Sequence, residues 1–242
     1  ASKVEIWTDV DGVLSADPRI VENAFVIPEL SYQEAMELSY FGAEVIHPYT
    51  MIPAVDRNIP IIIRNTYNPA AKGTIITNTV KREGNPVTGI ACIDKVGLIN
   101  VEGGGMIGIP GMAAQILSKV AKAGINIIMI SQASSEHSIC IVMKEDEAYR
   151  ARDILNDTLS WELENKRIQR VDLVNDLVVI AVIGENMRGT PGISGRLFSA
   201  LGTEKINVFA IAQGSSERNI SFVADLKNKT KILTTVHKAF LE

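Results

Sequence analysis

Cysteine is nearly absent from this chain: Cys92 and Cys140 stand far apart, with no Cys-x-x-Cys and no histidines gathered beside them. That spacing gives no disulfide framework and no cysteine zinc site, and it predicts two reduced, buried thiols in a cytoplasmic protein. Histidine is as scarce. His47, His137 and His237 are scattered, and none is expected to act as a catalyst. No block of lysine and arginine stands out, and the net charge is −4 with a pI of about 5.5. The electrostatic footprint of a nucleic-acid or anionic-membrane binder is therefore missing. Apolar runs are short and interrupted, too short to span a bilayer. The opening residues, Ala1-Ser2-Lys3-Val4-Glu5, lack the basic-then-apolar order of a signal peptide and carry no initiator Met, which reads as a processed, cloned or excised start. What remains is ordinary for a soluble globular chain. Of 242 residues 46% are apolar and 21% charged, enough for one or two domains with real cores.

The strongest internal signal is a repeat. Shifted by 81 positions, residues 96–142 fall on 177–223 without a gap, and 17 of the 47 pairs are identical. The identities include Met106/Met187, Gly108/Gly189, Pro110/Pro191, Gly111/Gly192, Asn126/Asn207, Gln132/Gln213, Ser135/Ser216 and Glu136/Glu217. Each copy reads alike: a short apolar strand (96–101; 177–183), a Gly-Pro turn, then apolar residues at helical spacing. In the first copy that helix closes at Gly124, a C′ glycine. Two strands (125–131 and 138–143; 206–212 and 219–224) and a further helix (146–159; 230–240) follow. The order β-α-β-β-α with one more strand predicts an antiparallel sheet with both helices on one face.

The pattern Met-x-Gly-x-Pro-Gly, then Ile-Asn, then Gln-x-Ser-Ser-Glu, resembles the paired ACT domains of the aspartate kinase family, small ferredoxin-like modules that bind free amino acids. The first ninety residues have a different composition. Glu5–Val13 reads as a strand entering a turn, Ser31-Tyr32-Gln33-Glu34 as a capping box opening a helix, His47-Pro48 as a second helix start, and 59–63 as a buried strand. The stretches Trp-Thr-Asp-Val-Asp-Gly-Val, Ala-Asp-Pro-Arg, Ser-Tyr-Gln-Glu-Ala-Met-Glu-Leu and Phe-Gly-Ala-x-Val-Ile-His-Pro resemble the C-terminal part of the amino acid kinase fold in the same family. The two resemblances imply an α/β (α+β) chain: a C-terminal kinase-domain portion (1–80), then two βαββαβ ACT domains (88–172 and 173–242). They also imply that strand 87–93 completes the second.

By that resemblance Thr8, Asp9 and Arg19 contact ATP. Leu14 stands at a nucleotide-contacting position usually held by an aromatic, and Glu44 where the family often has Lys. ATP with Mg2+ would serve the parent enzyme, and this chain alone would require no cofactor. Phosphoryl transfer depends on positioning and charge neutralisation. No Lys-x-Gly-Gly loop or other phosphate cradle is present, so the chain is expected not to catalyse alone.

The ACT pair would read a zwitterion. The turn 106–111 leads into a helix N-terminus, where free N–H groups favour a carboxylate. Gly108 and Gly111 permit close approach, and Gln132 and Gln213 offer both a donor and an acceptor. The resemblance puts Met106, Gly108, Gly111, Asn126, Gln132, Ser135 and Glu136, with Met187, Gly192, Asn207 and Gln213, around the effector. Taken alone, Gly and Pro here are turn chemistry and the methionines core packing. The pathway's end products make L-threonine or L-lysine the expected ligand. The first repeat's strand Ile125-Asn126-Ile127-Ile128-Met129 carries no acid for a lysine ammonium, whereas Gln suits a hydroxyl, so threonine is preferred. A homodimer through the ACT sheets, with the missing N-terminal kinase portion as a further partner, completes the expectation. Two alternatives remain: a piece of a bifunctional aspartate kinase–homoserine dehydrogenase, or a non-catalytic ACT regulatory subunit.

Overall fold

The computed structural model describes residues 1–42, 45–80 and 84–242; Glu44 lies outside them. The first segment builds a small mixed sheet from β1 (Val4–Thr8), β2 (Glu29–Ser31), β3 (Ile61–Asn65) and β4 (Thr74–Thr77), in the order β1-β3-β4-β2. β1 runs parallel to β3, and β4 antiparallel to β3. Helices α1 (Tyr32–Tyr40) and α2 (Pro48–Val55) cover one face, burying Leu38, Met51, Ile61 and Ile63. The capping box is present: the Glu34 N–H donates to Ser31 Oγ and the Ser31 N–H donates to the Glu34 carboxylate. His47 caps α2 by accepting from the Tyr49 N–H.

The remainder is one six-stranded antiparallel sheet in the order β6-β7-β5-β8-β10-β9. Its strands are β5 (Gly89–Glu102), β6 (Met129–Gln132), β7 (Ser138–Lys144), β8 (Arg170–Ile183), β9 (Val208–Gln213) and β10 (Asn219–Asp225). Between them lie α3 (Met112–Lys122), α4 (Glu145–Thr158), the short α5 (Ser160–Glu164), α6 (Ile193–Thr203) and α7 (Lys229–Phe240). β5 and β8 are each 14 residues long and lie side by side at the centre. The first half of β5, 89–94, pairs with 178–183 of β8, and its second half with 170–174. Each long strand breaks register near its middle, at Lys95 (φ 53°) and Asp176 (φ 54°). Each half of the pair thus has four strands: the first half's fourth, 170–174, follows α5 in its own repeat, whereas the second half takes its fourth, 89–94, from ahead of the first repeat.

Alternation along these strands explains their unbroken apolar runs. Leu177, Val179, Ala181 and Ile183 point to an inner core shared with Val96, Leu98, Val142, Ala210 and Val223. Val178, Ile180 and Val182 point outward beneath α6 and α7, and Ile99, Val101, Ile139 and Ile141 beneath α3 and α4. The sheet curls so that its outermost strands meet, with Ser131 Oγ donating to the Ile211 carbonyl at 2.8 Å. The inner core continues into Leu38, Phe41 and Ile61 of the first segment, which ties the two parts together.

Candidate functional site

Two cavities gather most of the residues singled out by sequence. The first, of about 230 Å³, sits where β5 leaves the sheet. A 3-10 turn, Gly104–Met106, buries Met106, and the chain then passes Gly108 (φ 66°) and Gly111 (φ 95°) into α3. Both glycines occupy the left-handed region, where a side chain would add strain. Gly111 is the N-cap and offers no side-chain acceptor, which leaves the first amides of α3 uncapped by any side chain. From the β6–β7 hairpin Gln132 lines the cavity, and Glu136 accepts from the Gly108 N–H at 2.8 Å. Ile109, Pro110, Met112, Ala113 and Ile139 complete the wall. The space equals several water volumes of about 30 Å³ each, the scale of one small amino acid.

The second repeat builds the same turn. Met187 is buried, Gly189 and Gly192 have φ of 68° and 91°, and the Gly189 N–H donates to Glu217 at 2.7 Å. Gln213 ends β9 and is exposed, as Asn207 is just before it. Ser135 lies exposed in the hairpin, outside the residues lining the first cavity. Asn126 lies apart from that cavity too. The chain preceding β6 places Asn126 in the second cavity with Tyr40 of α1, whose phenol burial pushes up. Sequence reasoning did not single out Ile109, Met112, Ala113 and Ile139 as lining residues. The Ile139/Ile220 identity was a usable signal, but which helical residues face the loop depends on the seating of α3.

The second cavity, about 1120 Å³, lies between the first segment and the repeats. Thr8, Asp9, Leu14 and Arg19 all line it, with Tyr40 and Gly42. Asn126, Lys144, Asp94 and Lys229 form the opposite wall. Thr8 Oγ donates to Asp9 at 3.0 Å. Asp17 holds the Arg19 guanidinium with two bonds of 2.9 and 2.8 Å, and this pairing draws its carboxyl below the usual range. Lys229 is paired with Asp94. Among the described residues no group of three His, Cys, Asp or Glu could hold a metal ion.

The fold and the doubled loop define a tandem of ACT modules behind an amino acid kinase segment. The ACT domain family matches residues 99–159 and 180–240, and the amino acid kinase family matches 1–65. The chain is 47% identical, over 99% of its length and 27% of the relative's, to the chloroplastic bifunctional aspartokinase/homoserine dehydrogenase 2 of Arabidopsis thaliana. It superposes on the aspartate kinase of Clostridium acetobutylicum with a TM-score of 0.88 at 31% identity, covering 98% of this chain and 54% of that one. E. coli aspartokinase III, solved with aspartate and ADP, gives 0.84 at 26% identity, over 100% and 53% of the two chains. The chain belongs to the aspartate kinase family, and spans about a quarter to a half of the length of these relatives.

Proposed function

We propose that this chain is the regulatory region of an aspartate kinase and binds an end-product amino acid, L-threonine in preference to L-lysine, as a feedback signal. The whole protein would transfer a phosphoryl group from ATP, with Mg2+, to L-aspartate, giving 4-phospho-L-aspartate. The cavity under Gly108 carries this reading. It joins side-chain-uncapped α3 amides, suited to a carboxylate, to Gln132, suited to a hydroxyl. No acidic residue other than Glu136 lines it, and Glu136 is engaged by the Gly108 N–H. A lysine ammonium would lose its water there without a full ion pair, at a cost of several kcal/mol. A threonine hydroxyl needs one partner, and an analogue lacking it strands a buried polar group. Thr8, Asp9 and Arg19, which share the second cavity, are proposed to touch the nucleotide. The identity to a bifunctional relative supports a second reading, in which a homoserine dehydrogenase belongs to the same protein. The cytoplasm is proposed as its site, although that relative is named chloroplastic.

Calorimetry on the purified chain with threonine, lysine, methionine and isoleucine tests the effector. Threonine is expected to bind at least tenfold more tightly than lysine. Gln132→Ala or Gln213→Ala is expected to weaken it about tenfold, or about 1.4 kcal/mol. Binding of lysine without threonine, or indifference of threonine binding to both substitutions, would reject the reading.

A further inference from the structure

The two repeats differ in one local respect. Offset by 81 residues, Gly104 and His137 of the first repeat correspond to Glu185 and Arg218 of the second. A side chain at Gly104 would meet nothing closer than His137 at 3.8 Å. In the second repeat, by contrast, the turn leading to Met187 is clasped by the kinase segment. Glu34 of α1 is fully buried, and its carboxylate accepts from the backbone N–H of Glu185 at 3.0 Å, from the Thr88 hydroxyl and from the Ser31 N–H at 2.9 Å. Arg218 Nε donates to the Glu185 carboxylate at 2.7 Å, and Glu37, one turn along α1, accepts from Asn219 at 2.8 Å. A buried carboxylate with several donors holds its partners in one geometry, because letting one go strands a charge.

The opposite end of α1 meets the second cavity. Tyr40 lines that cavity beside Gly42 and with Asn126, and Thr8, Asp9 and Arg19 line it too. Nine residues of helix span roughly 13 Å at 1.5 Å each. One rigid element therefore has its first turn on the second repeat's loop and its last residue at the cavity.

We propose that α1 is a strut coupling the loop of the second repeat to the large cavity, with Glu34 as the clasp at its loop end. The inference rests on the regulatory reading above and names the route by which a signal in that repeat reaches the kinase segment. Glu34 is a positioning residue in this arrangement. A change in the 184–192 loop moves the Glu185 amide, Glu34 moves with it, and the helix carries the shift to Tyr40.

Hydrogen exchange read by mass spectrometry on the full chain tests this, with and without saturating threonine. In the unliganded chain Glu34→Gln is expected to speed exchange of 183–190 more than tenfold and of 38–42 at least threefold, and to leave 103–109 within twofold. With threonine, the wild type is expected to change its protection over 32–42. In Glu34→Gln that change is expected to vanish while calorimetric affinity stays within threefold. If Glu34→Gln fails to fold, Arg218→Gln loosens the same clasp and serves for both comparisons. A loosened 183–190 with an unaltered 38–42 would overturn the strut, as would an undiminished ligand response in the variant. Failure of any amino acid to bind the wild type would instead defeat the regulatory reading, and the unliganded comparison would still decide the strut.

Discussion

Cys92 lies on β5 against Asp94 and Lys229, and burial pushes its thiol up to about 11 from an ordinary 9.0. A thiol held neutral by burial stabilises the fold below pH 9 relative to alkaline solution. As pH rises from about 9 to about 11 the unfolded chain ionises first, and that contribution is lost. Two units amount to about 2–3 kcal/mol. In urea unfolding at pH 8 and pH 10.5, just short of the upper value, the wild type is expected to lose about 2 kcal/mol more stability than Cys92→Ala. Equal losses would refute the assignment. Alkylation of Cys92 at pH 8 is expected to be slow in the folded chain and fast in urea, since the thiolate is the reactive species. Asn126 and Gln132 show how far single residues were legible. Both recur in the repeat, but only tertiary packing puts Gln132 under the Gly108 loop and Asn126 against Tyr40. Periodicity carries no information about that choice.

At the scale of elements, glycines divide by what surrounds them. A Cβ on Gly184 would lie 2.1 Å from the Pro86 carbonyl oxygen, and one on Gly103 2.4 Å from the Arg167 oxygen. Gly195, in α6, faces open space. Gly184→Ala is therefore expected to cost about 1–3 kcal/mol by overpacking. Gly195→Ala is expected to gain about 0.5–1 kcal/mol of helix propensity. Opposite shifts of the urea midpoint would check both, and a neutral Gly184→Ala would contradict the close approach. The sequence marks residues 103–105 only as a turn, because the crowding comes from the backbone around 167–169, more than sixty residues away. The capping box at Ser31 and Glu34 needed no such knowledge, being complete within four residues, and the structure matches it. The repeat's strands and helices were legible for the same local reason. The long central strands were not: the apolar run at 96–101 conceals that β5 begins at Gly89, since its first half earns its place by pairing with residues 178–183. β2 and β4, of three and four residues, are too short to print a period.

For the whole molecule, exposed Ile130, Phe209 and Ile211 lie on the outer strands β6 and β9. Exposed apolar side chains of this kind favour pairing of copies. Light scattering at micromolar concentration is expected to give about twice the 26.3 kDa chain mass. A monomer at every concentration, with and without amino acid, would rule the pairing out. A coupled assay with ATP and aspartate is expected to stay at background, against the 1–100 s⁻¹ typical of kinases. Turnover approaching that range would contradict the expectation drawn from the missing phosphate loop. The central strands carry a further implication for ancestry and engineering. Because the second half takes its fourth strand, 89–94, from ahead of the first repeat, a chain carrying residues 177–242 alone would have to find that strand in another chain, as a swapped dimer. Joining two copies in one polypeptide turns that concentration-dependent encounter into an intramolecular one at millimolar effective concentration. On that account the second copy is transplantable only together with strand 89–94, and grafting it alone onto another enzyme would restore the dependence on concentration that the fusion removed.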